Sequence, residues 1–244
     1  MHSIFPLGAS GRPAFVAHRG ASDRALENSP SAFLQAAADA ADMVEFDVRL
    51  SADGVPVVLH DARTGRTAME NLAVARTAAA RLRRVRLKNG EALPSLEEVL
   101  AILRGTVAAN IESKVRGGIA ATVRTLTESR YLGVVMLSSA LREECLAARS
   151  LLPAAPCGLV TRRPSASDLA FCRRHGLSSI HPDHRFLTVL RLRKIVGSGI
   201  PMVPYTVDDP AVAFRLIAAG AAGVFSNRAQ WIRERYLGSR SLEG

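Results

Sequence analysis

The chain has 244 residues, of which 48% are hydrophobic and 5% aromatic, and carries 32 Lys and Arg against 22 Asp and Glu, a net charge of +10. That length and apolar content can fill the core of one large α/β domain, residues 1–244 as a single unit, and they exclude a disordered chain. No stretch approaches the roughly 20 apolar residues that span a bilayer, so no stable membrane insertion is expected.

Eight apolar, β-branched runs alternate with Ala-, Leu- and Arg-rich helical stretches. The runs are Ala14–His18, Met43–Val48, Val107–Glu112, Val134–Ser138, Pro156–Thr161, Ser179–His181, Met202–Thr206 and Gly223–Ser226. Near-continuous apolar strands separated by helices predict a parallel sheet covered on both faces. Eight such units in this length predict an α/β fold of the TIM (β/α)8 barrel type. Helix starts agree: Ser29-Pro30 and Asp209-Pro210 offer a cap followed by proline, and Ser95-Leu96-Glu97-Glu98 reads as a capping box. Gly105, Gly133, Gly176 and Gly199 fall at expected helix ends. One segment breaks the alternation. Ser51-Ala52-Asp53-Gly54 is a turn, Val55–His60 a short strand, and together they form a small hairpin insertion after strand 2. Asp61–Pro94 then forms a long basic loop with a helix over Ala73–Arg84, placed to wall the site.

The basic balance raises affinity for phosphates, nucleic acid or anionic membrane. Only Lys88, Lys114 and Lys194 are lysines, so the excess is an arginine habit, and Arg81-Leu82-Arg83-Arg84-Val85-Arg86 reads as a solvated helix end. Without interleaved aromatics it offers no stacking platform, so no nucleic-acid partner is expected. Cys145, Cys157 and Cys172 lack metal-site spacing and read as buried free thiols in a reducing compartment. Met1–Pro13 lacks the pattern of a secretory signal. A cytoplasmic location is the expectation.

The chemistry gathers at the ends of the early strands. Residues two apart on a strand share a face. Glu45 and Asp47 therefore point the same way, as do Asn110, Glu112 and Lys114 on the neighbouring strand. Carboxylates crowded on one face repel unless a cation sits between them, and oxygen donors without thiols favour Mg²⁺ or Ca²⁺ over Zn²⁺. His18 ends the first strand and His60 ends the hairpin; imidazole titrates near neutral pH, which suits a general acid and a general base. Arg19 and Lys114 are cations suited to clamping phosphoryl oxygens. His2, His175 and His184 read as surface residues. His181 has only its strand-end position to connect it with the site. Together these groups form the equipment for cutting a phosphodiester with a metal ion.

In chain order, His18-Arg19-Gly20, Glu27-Asn28-Ser29, Glu45-Phe46-Asp47-Val48, Asp53-Gly54, His60-Asp61, Leu93-Pro94-Ser95-Leu96-Glu97-Glu98, Asn110-Ile111-Glu112-Ser113-Lys114 and Tyr205-Thr206-Val207 resemble the glycerophosphodiester phosphodiesterase family, in its short bacterial cytoplasmic form. The resemblance covers nearly the whole chain. It implies a TIM barrel with a hairpin insertion, and hydrolysis of a small glycerophosphodiester to glycerol 3-phosphate and an alcohol. It implies His18 and His60 as the acid/base pair and Glu45, Asp47 and Glu112 as ligands of Mg²⁺ or Ca²⁺. Arg19 and Lys114 would hold phosphate, with Glu27 beside the metal or the substrate hydroxyls. The nucleophile would be the substrate's own glycerol hydroxyl or water. The chain departs from the family in two places: Leu26 replaces a proline, and Ser226-Asn227 replaces Thr-Asp, which removes a carboxylate near the site. Two other readings are a lysophospholipase D-type enzyme on the same scaffold, which needs an apolar acyl channel, and a non-catalytic binder of phosphate or anionic membrane. The expected assembly is a monomer or a homodimer.

Overall fold

Residues 12–240 are described by a computed structural model. His2 and most of the Met1–Pro13 segment lie outside the described residues. The strands are β1 (Ala14–His18), β2 (Met43–Leu50), β3 (Pro56–Val58), β4 (Ala108–Ser113), β5 (Val135–Ser139), β6 (Cys157–Thr161), β7 (Ser179–Pro182) and β8 (Gly223–Ser226). All but β3 run parallel, in the order β7-β6-β5-β4-β2-β1-β8. The hairpin strand β3 lies antiparallel on the end of β2, pairing Val48 with Val58.

The expected strand Met202–Thr206 is not a regular strand. It still closes the barrel between β7 and β8. Val203 N–H donates to Ile180 and Tyr205 N–H to Pro182 on one side; Phe225 N–H donates to Pro204 and Val207 N–H to Phe225 on the other. Pro201 and Pro204 carry no N–H, so rungs of the ladder are missing and only isolated bridges to β7 form.

Helices cover the barrel: α1 (Pro30–Ala38), α2 (Ala79–Leu82), α3 (Leu96–Leu103), α4 (Gly118–Glu128), α5 (Arg142–Leu151), α6 (Ala166–Arg174), α7 (Val189–Gly197), α8 (Pro210–Ala218) and α9 (Ala229–Arg240). The expected caps form. Ser29 accepts from Ala32 N–H, Asp209 accepts from Ala211 N–H, and Ser95 and Glu98 close a capping box. The left-handed residue past α4 is Arg130 at φ 47°, not the expected Gly133.

Side chains alternate across each strand. On β2, Val44, Phe46 and Val48 pack against helices, while Met43 joins Val16, Met136, Val203 and Phe225 as an apolar plug inside the barrel. Glu45 and Asp47 therefore point into the barrel above that plug. Register aligns His18 with Glu45, Glu45 with Asn110, and Asp47 with Glu112. Three strands thus bring their polar residues to one end of the barrel, the end from which the βα loops leave.

The insertion differs from the expected helix over Ala73–Arg84. It forms a single 3-10 turn at Val74–Arg76, then the one-turn α2. Val57, Leu59, Ala68, Val74, Leu82, Val85, Leu87 and Leu93 build a separate small core beneath it. Thr77 and Ala78 are extended between the two turns, and Val74 and Leu82 reach this core from either side of the break, so tertiary packing overrides the alanine-rich propensity.

Candidate active site

The chain leaves β1 in a strained turn. Arg19 adopts φ 58° and Gly20 φ 85°. A Cβ on Gly20 would stand 2.8 Å from the Ala32 backbone, so the position tolerates no side chain. Asn28, also left-handed at φ 55°, donates its N–H to Arg19 O. A non-glycine residue in this region is strained and persists where the surroundings enforce it. Here the two strained residues aim at one carboxylate. Asn28 Nδ2 donates to Asp47 Oδ2 at 2.9 Å, and Arg19 Nε lies 3.1 Å from the same oxygen.

Glu45, Asp47 and Glu112 are buried, and each offers an oxygen within 4.8 Å of the others. Lys114 Nζ sits 3.0 Å from Asp47 Oδ1 and 2.5 Å from Glu112 Oε1. Burial and the neighbouring Asp47 and Glu112 charges raise the Glu45 carboxyl well above its ordinary range. Burial pushes Asp47 the same way, but Lys114 and Arg19 outweigh it and hold Asp47 below the usual carboxylate range. For Lys114, burial favours the neutral amine, and Glu112 and Asp47 reverse that and keep it charged.

Hydrogen-bonding capacity is left over. Glu45 Oε1 and Asp47 Oδ1 are buried acceptors without an aligned donor, since the Lys114–Asp47 contact is an ion pair by distance but not a directed hydrogen bond. Arg19 Nε, an ion pair with Asp47 by distance but not a directed hydrogen bond, and Asn110 Nδ2 are buried donors without an aligned acceptor. Unpaired buried polar atoms are costly. Unmatched carboxylate oxygens fit a hard divalent cation, and unmatched donors fit phosphoryl oxygens.

Two imidazoles reach the same cavity, whose volume is about 400 Å³. His18 Nδ1 lies 2.9 Å from Asn227 Oδ1, while Asn227 Nδ2 donates to Asp208 Oδ2 at 2.7 Å. Because a carboxylate only accepts, the amide must present its oxygen to His18. The proton therefore sits on Nδ1, and Nε2, 3.9 Å from Glu45 Oε2, is bare. Burial, reinforced by Arg19, lowers the His18 pKa to about 4. His60 Nδ1 is 2.6 Å from Asp61 Oδ1. Arg66 holds that carboxylate at 2.5 Å, and its hydrogen bond lowers the Asp61 pKa to about 2. Arg49 Nε donates to His60 O, fixing the backbone beside the ring.

Seven of the eight expected site residues lie in this cluster. Glu27 stands apart. It does not line the cavity; Arg19 and Arg66 bind its carboxylate at 2.8 and 2.6 Å. Its observed contacts brace Arg19 and tie Arg66 to the site.

His184 lines the cavity with Arg185, Tyr205 and Thr206, which corrects its reading as a surface residue. It stands two residues past β7, so strand-end position was the available signal. His181 also lines the cavity but is buried, 2.8 Å from Ser179 Oγ and edge-on to Phe225 at 4.8 Å. Burial lowers its pKa to about 3. His175 is half-buried against Phe171. The carboxylate missing at Asn227 is supplied from elsewhere. Asp208 accepts from Asn227 Nδ2, from Asn227 N–H and from Ser226 Oγ. Asp208 stands two residues past the expected strand Met202–Thr206 and directly after Tyr205-Thr206-Val207, a position that marks it as a strand-end carboxylate.

A model of the Glycerophosphoryl diester phosphodiesterase family matches residues 18–230. A glycerophosphodiester phosphodiesterase of Bacillus subtilis is 26% identical over 244 residues, covering 87% of this chain and 82% of its own. One from Caldanaerobacter subterraneus is 24% identical, covering 87% and 93%. Among solved structures, a phosphodiesterase of Oleispira antarctica in complex with its product sn-glycerol-3-phosphate superposes with a TM-score of 0.85 at 26% identity, covering 92% of this chain and 97% of that one. With the barrel, the carboxylate cluster and the paired imidazoles already in place, the match over residues 18–230 means that the chain belongs to the glycerophosphoryl diester phosphodiesterase family and is an enzyme of that kind, a phosphoric diester hydrolase.

Proposed function

We propose that this chain hydrolyses glycerophosphodiesters to glycerol 3-phosphate and an alcohol, with His18 and His60 exchanging the protons and a divalent ion held by Glu45, Asp47 and Glu112. The observation that carries the reading is the convergence of three buried carboxylates, within 4.8 Å, on a cavity lined by both imidazoles. The oxygen donor set favours Mg²⁺ or Ca²⁺. When bound, such an ion neutralises charge growing on the phosphoryl oxygens.

The chain's own residues divide the remaining work. Arg19 and Lys114 stay charged and draw the phosphoryl group to the carboxylate cluster. The attacking oxygen, from water or from the substrate's glycerol hydroxyl, gives its proton to one imidazole as the new P–O bond forms. The P–O bond to the leaving alcohol breaks, and the other imidazole protonates that oxygen. Both rings have Nδ1 tied down, by Asn227 and by Asp61, which leaves each Nε2 for the substrate. Glu27 acts on the substrate through Arg19.

A lysophospholipase D-type reading lacks support from the cavity. Its mouth carries His184, Arg185 and Tyr205, and most of the residues lining it are polar or charged. Residues 1–244 would act as one domain. A cytoplasmic setting is favoured by three cysteines that are free and buried; no described helix is long and apolar enough to cross a membrane.

The deciding experiment is a panel of glycerophosphodiesters assayed for released glycerol 3-phosphate, with EDTA and metal add-back. His18→Ala and His60→Ala should each remove turnover with the fold intact. Full activity in either variant overturns the acid/base assignment, and indifference to EDTA removes the metal.

A further inference from the structure

We propose that the outer face of α6 and α7, beside the mouth of the catalytic cavity, docks the enzyme on an anionic phospholipid surface. Residues 162–194 hold eight Arg and Lys against two carboxylates, Asp168 and Asp183, so a net +6 of the chain's +10 lies in this short segment. Both carboxylates are already engaged. Arg142 on α5 binds Asp168 at 2.7 Å, and Arg185 binds both oxygens of Asp183. Among the described residues, Arg163, Arg173, Arg193 and Lys194 have no carboxylate partner.

The second observation concerns α7. A surface helix ordinarily turns its apolar residues inward. In α7 only Ile195 is buried, while Val189, Leu190 and Val196 are 70%, 63% and 40% exposed. Apolar and cationic side chains therefore share the solvent face, the pattern of a helix that lies in a lipid headgroup layer. A groove of about 710 Å³ runs between α6 and α7, lined by Arg163, Arg173, Arg191 and Lys194 around Leu169 and Ile195, with no carboxylate in its lining.

Charge complementarity selects the occupant. A second copy of the chain would set +6 against +6. A nucleic-acid backbone would meet the cations but has no apolar layer for the exposed Val189 and Leu190, and the Phe186 ring, covered by the Arg162 and Arg163 guanidinium groups at 4.7 and 4.4 Å, offers no platform for base stacking. An anionic headgroup layer satisfies both features, since phosphates meet the cations and the acyl boundary takes Val189 and Leu190. Position gives the contact a purpose. Arg185, on the cavity wall, precedes Val189 by only four residues, so docking holds the cavity mouth at the lipid surface.

The test reads binding without turnover, so its failure is separable from that of the catalytic reading. The full chain is sedimented with vesicles of phosphatidylcholine, with and without phosphatidylglycerol. It should sediment with the anionic vesicles only, and less at high salt. The triple variant Arg173→Gln, Arg193→Gln, Lys194→Gln should lose binding on the order of 100-fold, about fivefold for each charge. The pair Val189→Ser, Leu190→Ser should lose about tenfold with charge unchanged. Arg83→Gln with Arg84→Gln, on the insertion and outside this face, should bind as the parent does. All of these variants should turn over glycerophosphocholine at the parent rate, which also reports that they fold. Equal binding to neutral vesicles, or equal loss in the Arg83/Arg84 variant, overturns the proposal. So does undiminished binding of the Val189/Leu190 variant together with displacement by single-stranded RNA, which would mark a general polyanion surface.

Discussion

His18 and Asn227 are bonded through Nδ1 and Oδ1 at 2.9 Å, and Asp208 fixes the sense of that bond by accepting from Asn227 Nδ2 at 2.7 Å. A carboxylate at one end therefore sets the tautomer of an imidazole two links away. Asn227→Ala frees the ring and should lower kcat more than tenfold with KM little changed, because binding groups are untouched. Asn227→Asp alone sets two carboxylates together, whereas pairing it with Asp208→Asn restores one acceptor and one donor. The paired variant should recover activity over Asn227→Asp. Equal activity in the two would remove the positioning role.

Lys114 pairs with Asp47 and Glu112, while Glu45 keeps an unmatched buried oxygen that a divalent cation can take. Saturating Mg²⁺ or Ca²⁺ should raise the melting temperature of the chelated protein, with about 2.7 kcal/mol of stabilisation at a hundredfold excess over Kd. Glu45→Gln removes the ligand that bears the orphaned Oε1 and should abolish the shift. Calorimetry of both proteins with and without metal decides this, independently of turnover.

Gly158 on β6 leaves room for the His181 ring. A Cβ there would fall 2.5 Å from His181 Cε1 and 2.8 Å from Met136 Cε. Ser179 and Phe225 hold the ring, so it cannot swing away cheaply. Gly158→Ala should destabilise by about 1–3 kcal/mol, read by denaturant unfolding. An unchanged midpoint would mean that the ring moves freely.

Burial keeps His181 neutral, with its pKa lowered to about 3 against 6.5 for an ordinary histidine. Between those pH values the unfolded chain binds a proton that the native state refuses. Stability therefore falls as pH drops from 6.5 toward 3, by at most about 1.4 kcal/mol per unit from this residue. His181→Gln, which can still bond Ser179, should flatten that acid limb relative to the parent. Parallel limbs in pH-resolved unfolding would contradict it.

Much of the site was legible because a strand has period two. Glu45 with Asp47, and Asn110 with Glu112 and Lys114, must each share a face, and once the runs are parallel strands the ends of those strands must meet. The hydrophobic patterning likewise determined the barrel, and the Ser95–Glu98 box and the Ser29 and Asp209 caps determined where helices begin, since these are local bonds between near neighbours. What the sequence left open is set by contacts distant along the chain. Asp208 compensates for the carboxylate absent at residue 227 only because the barrel closes β8 against the segment that ends at Val207. Glu27 braces Arg19 rather than facing the cavity because Arg66, 39 residues away, binds it. The insertion abandons its helical propensity to bury Val74, Leu82, Val85 and Leu87, and His184 joins the cavity because the chain turns inward after β7. Residue type and spacing thus determined which groups share a face, whereas closure of the sheet into a barrel decided which of them touch.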